Sequence, residues 1–489
     1  MWRIVSIILY SMNMALVIYA SVALILRKQD PVKTLSWVLI LILLPYIGLI
    51  LYLFLGRNFR KKKIYNRKGA ADFKYKKEFS SQQLIAFKKD PSIFGLSTLP
   101  FKKIIYQNLI NSYSTVDYNS SVEFYFTGRD ALDAMYKSIS NAKEHIHFQS
   151  YIFVDDITGK RFKELFIKKA QEGVEVRLMF DDVGSFSLKK DFILQMQSYG
   201  VEVNIFSKVR LLTPTPLINY RNHRKILIVD GKEGFLGGVN VADRYYYGTK
   251  AGDWHDTHMK ITGDSVASLQ SSFLLDRWFI KNRRLSKRKK YFPSPIQKES
   301  HSYISDNKYI TQIISSGPDS YWASIMQCYF TAITSAKDHI YIVTPYFTPS
   351  ESILNAIKIA ALGGIDVKIM LPERSDTIVA HWSTMSYITE LLEAGVKVFL
   401  FSEGFNHSKV ISIDGEMSIV GSANMDCRSF DHNFEIMSVI YNNECANKIE
   451  KEFINQIANC KNVHFYKWKK RPLSSKIREG IARLGSPLL

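Results

Sequence analysis

Two long apolar runs open the chain, and alternating helix-like and strand-like segments fill most of the rest. Residues 4–26 and 35–55 contain no charged side chain. At about 1.5 Å per residue, each run is long enough to cross a hydrocarbon core of about 30 Å. The first run is too long for the apolar part of a cleavable signal peptide, which spans about 7–15 residues. The pattern predicts an N-terminal hairpin of two retained transmembrane helices.

The remainder of the chain contains an internal duplication. Four blocks recur in the same order, 184 to 195 residues apart: 141–153 with 335–347, 173–179 with 364–370, 200–206 with 395–401, and 222–231 with 406–415. Within the first copy, helical spacing alternates with β-branched and aromatic segments. This alternation predicts strand–helix–strand units that form a mainly parallel sheet covered by helices. The expected fold class is therefore α/β, with two tandem domains.

These patterns divide the chain into six expected segments. They are two transmembrane helices in 1–56 (about 4–26 and 35–55), a basic juxtamembrane region at 57–121, a first α/β domain at 122–285, a linker at 286–304, a second α/β domain at 305–460, and a basic C-terminal tail at 461–489.

The charge of +20 is concentrated at the edges of these segments, at 57–68, 281–290 and 461–483. Such clusters favour an anionic membrane surface over nucleic acid, which usually meets charge spread over a folded face. The cluster after the second apolar run predicts that both α/β domains face the cytoplasm. Within the tail, Tyr466–Arg471 combines aromatic and basic residues as membrane interfaces do, although a solvated tail would have the same composition.

The most informative chemical signal is a motif that occurs once in each repeat. The two copies have identical internal spacing and comprise His223, Lys225 and Asp230, followed by Asn240, and His407, Lys409 and Asp414, followed by Asn424. In a strand, residues two apart point to the same face, so each His and Lys share one face. The Asp-Gly pair that follows predicts a hairpin that returns the Asn towards that face.

Two such faces placed opposite each other favour phosphoryl transfer. One imidazole would attack phosphorus and the other would protonate the leaving alkoxide, while the Lys and Asn side chains bind phosphate oxygens. No carboxylate cluster with metal-ligand spacing accompanies the motif, so the expected site needs no metal or other cofactor. A lone His on a strand is more often structural, but two matched copies make idle residues a poor explanation.

The paired motif closely resembles that of the phospholipase D superfamily, and the apolar N-terminus makes the chain similar to the bacterial cardiolipin synthases within it. The resemblance implies a multi-pass cell-membrane enzyme. It would join two phosphatidylglycerol molecules into cardiolipin and glycerol through a phosphohistidine. Phosphatidylglycerol and anionic membrane lipid are the implied partners, without nucleic acid. The oligomeric state stays open.

The resemblance also implies roles for individual residues. His223 is expected to be the nucleophile and His407 the general acid and then base, although the repeat alone is too symmetric to order them. Asp230 and Asp414 belong to the catalytic motif but are expected to fix the hairpins. Asp256 and Glu435 match the positions of carboxylates that orient the histidines. Gly238 departs from the family pattern, in which Ser is common, as at Ser422.

Other functions share these residues. A phospholipase D-type hydrolase and a phosphatidyltransferase that uses another alcohol would have the same site, and only their products differ. A nuclease of the superfamily is disfavoured by the apolar N-terminus and by basic clusters outside the repeats. A non-enzymatic membrane scaffold would leave both motifs without a role.

Overall fold

The computed structural model describes residues 2–26, 31–52, 71–208, 219–250, 252–281, 288–293 and 309–486. The basic cluster predicted at 57–68, the connector at 27–30 and most of the predicted linker at 286–304 lie outside these residues.

The N-terminal apolar sequence forms three helices, which are α1 (Trp2–Leu26), α2 (Pro31–Leu43) and α3 (Pro45–Leu51). The prediction of one helix over 35–55 is wrong, because the helix is interrupted at Leu44 (φ −128°, ψ 64°). The ring of Pro45 disfavours helical geometry at the residue before it and removes a backbone donor. Among the described residues, only α1, over Arg3–Leu26, is long and apolar enough to cross a membrane.

The three helices pack through a small apolar cluster that contains Val17, Leu24 and Leu41. A Cβ at Gly48 would lie 2.5 Å from the carbonyl oxygen of Ile40, so glycine permits the close approach of α3 to α2. Most other apolar side chains of α1 are exposed. A surface of this kind fits a lipid environment better than water.

Two helices then lead into the repeats, α4 (Ala71–Lys89) and α5 (Lys102–Asn111), joined by short 3₁₀ turns at Pro91–Phe94 and Leu96–Phe101. Both helices contribute buried side chains to the core of the second repeat, among them Phe87 and Ile105.

The first repeat is an α/β unit. Its strands are β1 (Val116–Thr127), β2 (His145–Ser150), β3 (Glu175–Asp181), β4 (Glu202–Phe206), β5 (Ile226–Val229), β6 (Glu233–Gly237) and β7 (Trp254–Thr262). Its helices are α6 (Gly128–Ser140), α7 (Ile157–Gln171), α8 (Lys190–Ser198), α9 (Asp243–Tyr247) and α10 (Ser265–Lys281), with a 3₁₀ turn at Arg288–Tyr291.

The second repeat follows the same plan. Its strands are β8 (Tyr309–Ser316), β9 (His339–Val343), β10 (Phe347–Thr348), β11 (Asp366–Pro372), β12 (Lys397–Phe401), β13 (Phe405–Asn406), β14 (Val410–Ile413), β15 (Met417–Gly421), β16 (Met425–Asp426), β17 (Glu435–Tyr441) and β18 (Cys460–Asn462). Its helices are α11 (Ser324–Ser335), α12 (Glu351–Leu362), α13 (Ile378–Ser386), α14 (Ile388–Glu393), α15 (Cys427–Asp431), α16 (Asn443–Ile457), α17 (Phe465–Lys469) and α18 (Leu473–Leu484).

The two repeats share one continuous sheet, in the order β18-β12-β11-β9-β14-β15-β17-β8-β1-β7-β6-β5-β2-β3-β4. The order reads the same outward from the β1/β8 seam in both directions, apart from the extra edge strand β18. The two repeats are therefore related by an approximate two-fold axis at this seam.

The sheet is mixed, which corrects the prediction of a mainly parallel one. The outer strands of each repeat pair in parallel, β2 with β3 and β3 with β4 in the first, and β9 with β11 and β11 with β12 in the second. The central strands pair antiparallel because the Asp-Gly turns make each motif strand half of a hairpin, with Ile226 opposite Leu236 and Val410 opposite Val420.

An apolar core also lies between the repeats. It combines buried side chains of the first repeat, such as Ile226 and Met259, with others of the second, such as Val410 and Ile436. In addition, β13 of the second repeat pairs in parallel with β7 of the first. The halves are therefore packed together beyond their shared seam, and this packing brings the two motifs together.

Candidate active site

Each motif histidine immediately precedes a buried strand and is held by the backbone of the other repeat. The N–H of His223 donates to the carbonyl of Phe434 at 3.0 Å, and the N–H of His407 donates to the carbonyl of His255 at 2.7 Å. His223 thus lies beside the start of β17, and His407 beside the start of β7. Each repeat supplies the surroundings of the other repeat's histidine.

The orienting carboxylates are exchanged between the repeats in the same way. Nδ1 of His223 lies 3.0 Å from Oε1 of Glu435, and Nδ1 of His407 lies 2.8 Å from Oδ2 of Asp256. A carboxylate on Nδ1 fixes the proton there and leaves Nε2 as the nitrogen that can react. The structure thus places both predicted carboxylates on the histidines, and it shows that each pair joins the two repeats.

The two motif lysines lie in the same electrostatic environment. Lys225 and Lys409 are buried, and each Nζ donates to the backbone carbonyl of its motif histidine. Burial lowers the pKa of Lys225 to about 7, with a further contribution from the charge of Lys409, and burial lowers the pKa of Lys409 to about 8. Two ammonium groups confined together favour binding of an anion between them.

The imidazoles share this environment. Burial lowers the pKa of His223 to about 4, against the opposing effect of Glu435. Burial also holds the pKa of His407 well below its ordinary value, and the charges of Lys409, Lys225 and His223 act in the same direction. Both histidines of the free site are therefore neutral at pH 7. The two motifs also meet directly, since Nδ1 of His223 lies 3.2 Å from the carbonyl oxygen of Ser422 at the end of the second motif hairpin.

The two histidine–carboxylate pairs are not equivalent. Glu435 also accepts hydrogen bonds from the Ser422 hydroxyl at 2.5 Å and from the Asn433 amide at 3.2 Å. Its pKa is lowered despite its burial, because His223 and Lys225 are close. Burial raises the pKa of Asp256 to about 7. The Ser422 hydroxyl has no counterpart at Asp256, because Gly238 holds the equivalent position and a Cβ there would lie 2.1 Å from Oδ1 of Asp256.

The chain is similar to known proteins along most of its length. A family model described as "Cardiolipin synthase, PLD-like domain" matches residues 135–260 and 329–457, and one described as "Phospholipase_D-nuclease N-terminal" matches residues 15–57. Cardiolipin synthase from Geobacillus sp. (strain WCH70) is 36% identical over 474 residues, which cover 97% of this chain and 92% of that protein. The major cardiolipin synthase of Bacillus subtilis (strain 168) is 36% identical over 476 residues, which cover 97% of each chain. This chain belongs to the cardiolipin synthase family of phospholipase D-like proteins.

A solved structure shows the same fold in a more distant protein. Phosphatidylserine synthase from Haemophilus influenzae has a TM-score of 0.59 and 14% identity, and the match covers 80% of this chain and 100% of that one. For a cardiolipin synthase family member, the apolar N-terminal helix and the doubled motif indicate a membrane-associated phosphatidyltransferase that acts on phospholipids.

The motif aspartates of this family member lie at the ends of the motif strands that are away from the histidines. The Asp230 carboxylate accepts the backbone N–H groups of 143–145 at 2.7–2.9 Å, and Asp414 does the same for 337–339 at 2.8–2.9 Å. Each Asp sits at a turn with φ of 54°, at the end of the strand opposite to the histidine. These hydrogen bonds tie each hairpin to the strand beside it.

The two motif asparagines differ in their hydrogen bonds. The Asn240 amide donates to the Tyr245 hydroxyl at 2.7 Å, and its oxygen accepts the N–H of Ile152 at 3.0 Å. Asn424 is also buried, and its side-chain oxygen has no partner among the described residues. Asn240 therefore braces the first half of the site, whereas the Asn424 oxygen can still accept a hydrogen bond from a hydroxyl of a ligand.

The sequence interpretation did not identify the aromatic residues that line the site. The Tyr151 ring lies 4.9 Å from that of His223, and Lys225 Nζ lies 5.5 Å from the same tyrosine. Tyr346 and Trp254 lie 6.5 and 5.3 Å from the His407 ring. The repeat contained a signal for two of them, because Tyr151 and Tyr346 both follow the second strand of their repeat.

Proposed function

We propose that the chain transfers a phosphatidyl group from one phosphatidylglycerol to a hydroxyl of another, which forms cardiolipin and releases glycerol. The observation that carries the proposal is the exchange of carboxylates between two histidine motifs that meet in one charged, buried site. Membership in the cardiolipin synthase family supports the choice of lipid substrates.

His223 is the proposed nucleophile. Glu435 holds the proton on Nδ1 and leaves a lone pair on Nε2, and the lowered pKa keeps that nitrogen unprotonated at pH 7. When Nε2 bonds to phosphorus the ring becomes cationic. The carboxylate with the lowered pKa, Glu435, is the one placed to stabilise that charge.

His407 is the proposed acid and base. As the His223–phosphorus bond forms, the bond from phosphorus to the glycerol oxygen breaks, and Nε2 of His407 gives that oxygen a proton. In the second step a hydroxyl of the incoming phosphatidylglycerol loses its proton to His407 and attacks phosphorus, and the bond to His223 breaks. Binding of the anionic phosphodiester offsets the lysine charges and so raises the pKa of His407. His407 then takes up the proton that it gives to the glycerol oxygen.

The phosphate oxygens are assigned to Lys225, Lys409 and Asn424, with Asn240 holding the adjacent loop. Neither step uses a metal in this scheme, and each exchanges one phosphodiester for another. A hydrolase or a transferase for another alcohol would begin with the same first step. The acceptor of the second step separates these functions.

For the membrane arrangement, we propose that α1 and the α2–α3 pair form the hairpin in the bilayer of the bacterial cell, with the repeats in the cytoplasm. Support comes from the packing of the three helices on each other and from the positive residues after the second apolar run. The four cysteines, all among the described residues, form no disulfide bond, which is consistent with a reducing compartment.

The decisive experiment is product analysis with the full chain in phosphatidylglycerol vesicles containing EDTA. We expect cardiolipin and glycerol in equal amounts, measured by mass spectrometry. Phosphatidic acid alone would replace the proposal with a hydrolase. Activity that requires an added metal would contradict the proposed mechanism.

Trapping of the intermediate tests the order of the histidines. With phosphate-labelled lipid and a denaturing quench at alkaline pH, which preserves the phosphorus–nitrogen bond, His407→Ala is expected to retain a labelled protein while turnover is lost. His223→Ala is expected to lose both. Label that persists in His223→Ala and disappears in His407→Ala would reverse the two roles.

A further inference from the structure

The last described helix, α18, presents an apolar stripe to solvent. Leu473, Ile477, Ile481 and Leu484 are spaced by three or four residues and lie on one face of the helix. They are 71%, 53%, 65% and 83% exposed. No described part of the chain covers this face, although large apolar side chains of a soluble domain are normally covered when they form a continuous stripe.

The surroundings of the stripe are positively charged. Residues 465–484 contain seven Lys and Arg and one acid, Glu479. Glu479 is only 8% exposed, and its two carboxylate oxygens accept hydrogen bonds from the two terminal nitrogens of Arg471. The charge of Arg471 therefore balances that of Glu479. The cations next to the stripe, such as Lys470 and Lys476, are exposed. The face therefore combines apolar and cationic groups without a free anion.

The helix is fixed to the second repeat and is not a loose tail. Arg483 pairs with Glu390 at 2.6 Å and lies over the ring of Tyr387, with 4.1 Å from its guanidinium carbon to the ring centre. The Tyr387 hydroxyl donates to the Ser486 hydroxyl at 3.1 Å. The orientation of the stripe is therefore set by the catalytic part of the molecule.

We propose that α18 lies in the plane of an anionic lipid bilayer, with its apolar stripe at the boundary between headgroups and acyl chains. An amphipathic helix with basic flanks binds such an interface through apolar burial and attraction to anionic lipid. A second copy of the chain is a poor occupant, because the cations around each stripe would repel each other. The proposal concerns attachment and does not depend on which lipid reaction occurs.

The attachment has a direct path to the reacting groups. α18 packs along α13. The guanidinium carbon of Arg478 on α18 lies 5.6 Å from the ring centre of Trp382 on α13. The segment before α13 contains Asp376, which accepts a 2.6 Å hydrogen bond from the hydroxyl of Tyr346, the tyrosine near His407. Docking of α18 therefore sets how the second half of the site meets the bilayer from which a lipid substrate enters.

The test uses the full chain with Cys427 and Cys460 changed to Ser and an environment-sensitive fluorophore on Ile477→Cys. Cys328 and Cys445 are buried and stay unlabelled. The chain is reconstituted in phosphatidylcholine vesicles with or without phosphatidylglycerol, and nitroxide-labelled lipid is the quencher. The matched control is Lys232→Cys, which is exposed in the first hairpin turn at the strand end away from the histidines.

We expect a blue-shifted emission and loss of fluorescence at position 477 with phosphatidylglycerol, and neither change at position 232. Addition of Lys470→Glu and Lys476→Glu should abolish the phosphatidylglycerol dependence while circular dichroism stays unchanged. Absence of quenching at 477 would overturn the proposal, and so would a signal that depends on protein density, which would identify a second copy. Since the readout needs no turnover, its failure is distinct from failure of the proposed reaction.

Discussion

At the residue scale, one glycine distinguishes the surroundings of the two orienting carboxylates. Gly238 occupies the position that Ser422 holds in the second repeat, and it lets Asp256 approach the backbone where Ser422 instead donates to Glu435. The difference in carboxylate environment then separates the two histidines. In the proposed mechanism, this position is what favours His223 over His407 as the nucleophile, a choice that a perfect repeat would leave undecided.

Gly238→Ala tests this role. The new methyl group would displace Asp256, and misplacement of His407 by about 1 Å is expected to lower kcat by about 100-fold. Steady-state kinetics would show the loss, with a smaller loss for Ser422→Ala, which removes a hydroxyl without a clash. Unchanged kcat in Gly238→Ala would show that Asp256 does not position His407.

The lowered lysine pKa values predict a pH dependence for anion binding. Below about pH 7 for Lys225 and about pH 8 for Lys409 the ammonium forms predominate. A bound oxyanion stabilises these forms and raises both pKa values, so binding at pH 8 should take up protons. The affinity should then fall with rising pH, by about tenfold per pH unit for each proton taken up.

Calorimetric titration with tungstate in two buffers of different ionisation enthalpy measures this uptake. Lys232→Met, in the exposed turn, should behave as the wild type, and Lys225→Met should take up fewer protons. Release of protons on binding would contradict the prediction.

At the element scale, the motif hairpins were the best-predicted elements and the second apolar run was the worst. The hairpins predicted at the two Asp-Gly pairs are present, with strands at Ile226–Val229 and Val410–Ile413 before the turns, because short apolar segments before Asp-Gly turns have few alternatives. The run at 35–55 has uniform composition, but Pro45 divides it, and backbone geometry outweighs hydropathy there.

The hairpin anchors should affect stability more than chemistry. Asp414→Asn weakens an acceptor of three backbone N–H groups and is expected to cost about 1–3 kcal/mol of unfolding free energy. The thermal midpoint from circular dichroism should fall, while kcat of the folded fraction is retained. Glu393→Gln, at an exposed position, is the control. A loss of kcat at unchanged thermal midpoint would place Asp414 in the chemistry instead.

At the scale of the whole molecule, the catalytic unit is the pair of repeats. Neither motif histidine pairs with a carboxylate of its own repeat, since His223 uses Glu435 and His407 uses Asp256. The apolar core between the halves and the β13–β7 pairing hold this arrangement within one chain.

Mixtures of variants test whether one chain builds the site. His223→Ala and His407→Ala chains, purified separately and mixed in vesicles, are expected to stay inactive, as measured by cardiolipin formation. Activity in the mixture would show that two chains exchange repeats. Each variant mixed with wild type serves as the control for inhibition.

The sequence by itself determined the duplication, the chemistry of the motifs, the family and the apolar N-terminus, because these depend on residue type and local spacing. Only the tertiary structure decided which carboxylate meets which histidine, since those contacts join residues 212 and 151 positions apart. The missed tyrosines, the central antiparallel strands and the exposed face of α18 have the same origin. Each depends on what packing brings near a residue, and local spacing does not contain that information.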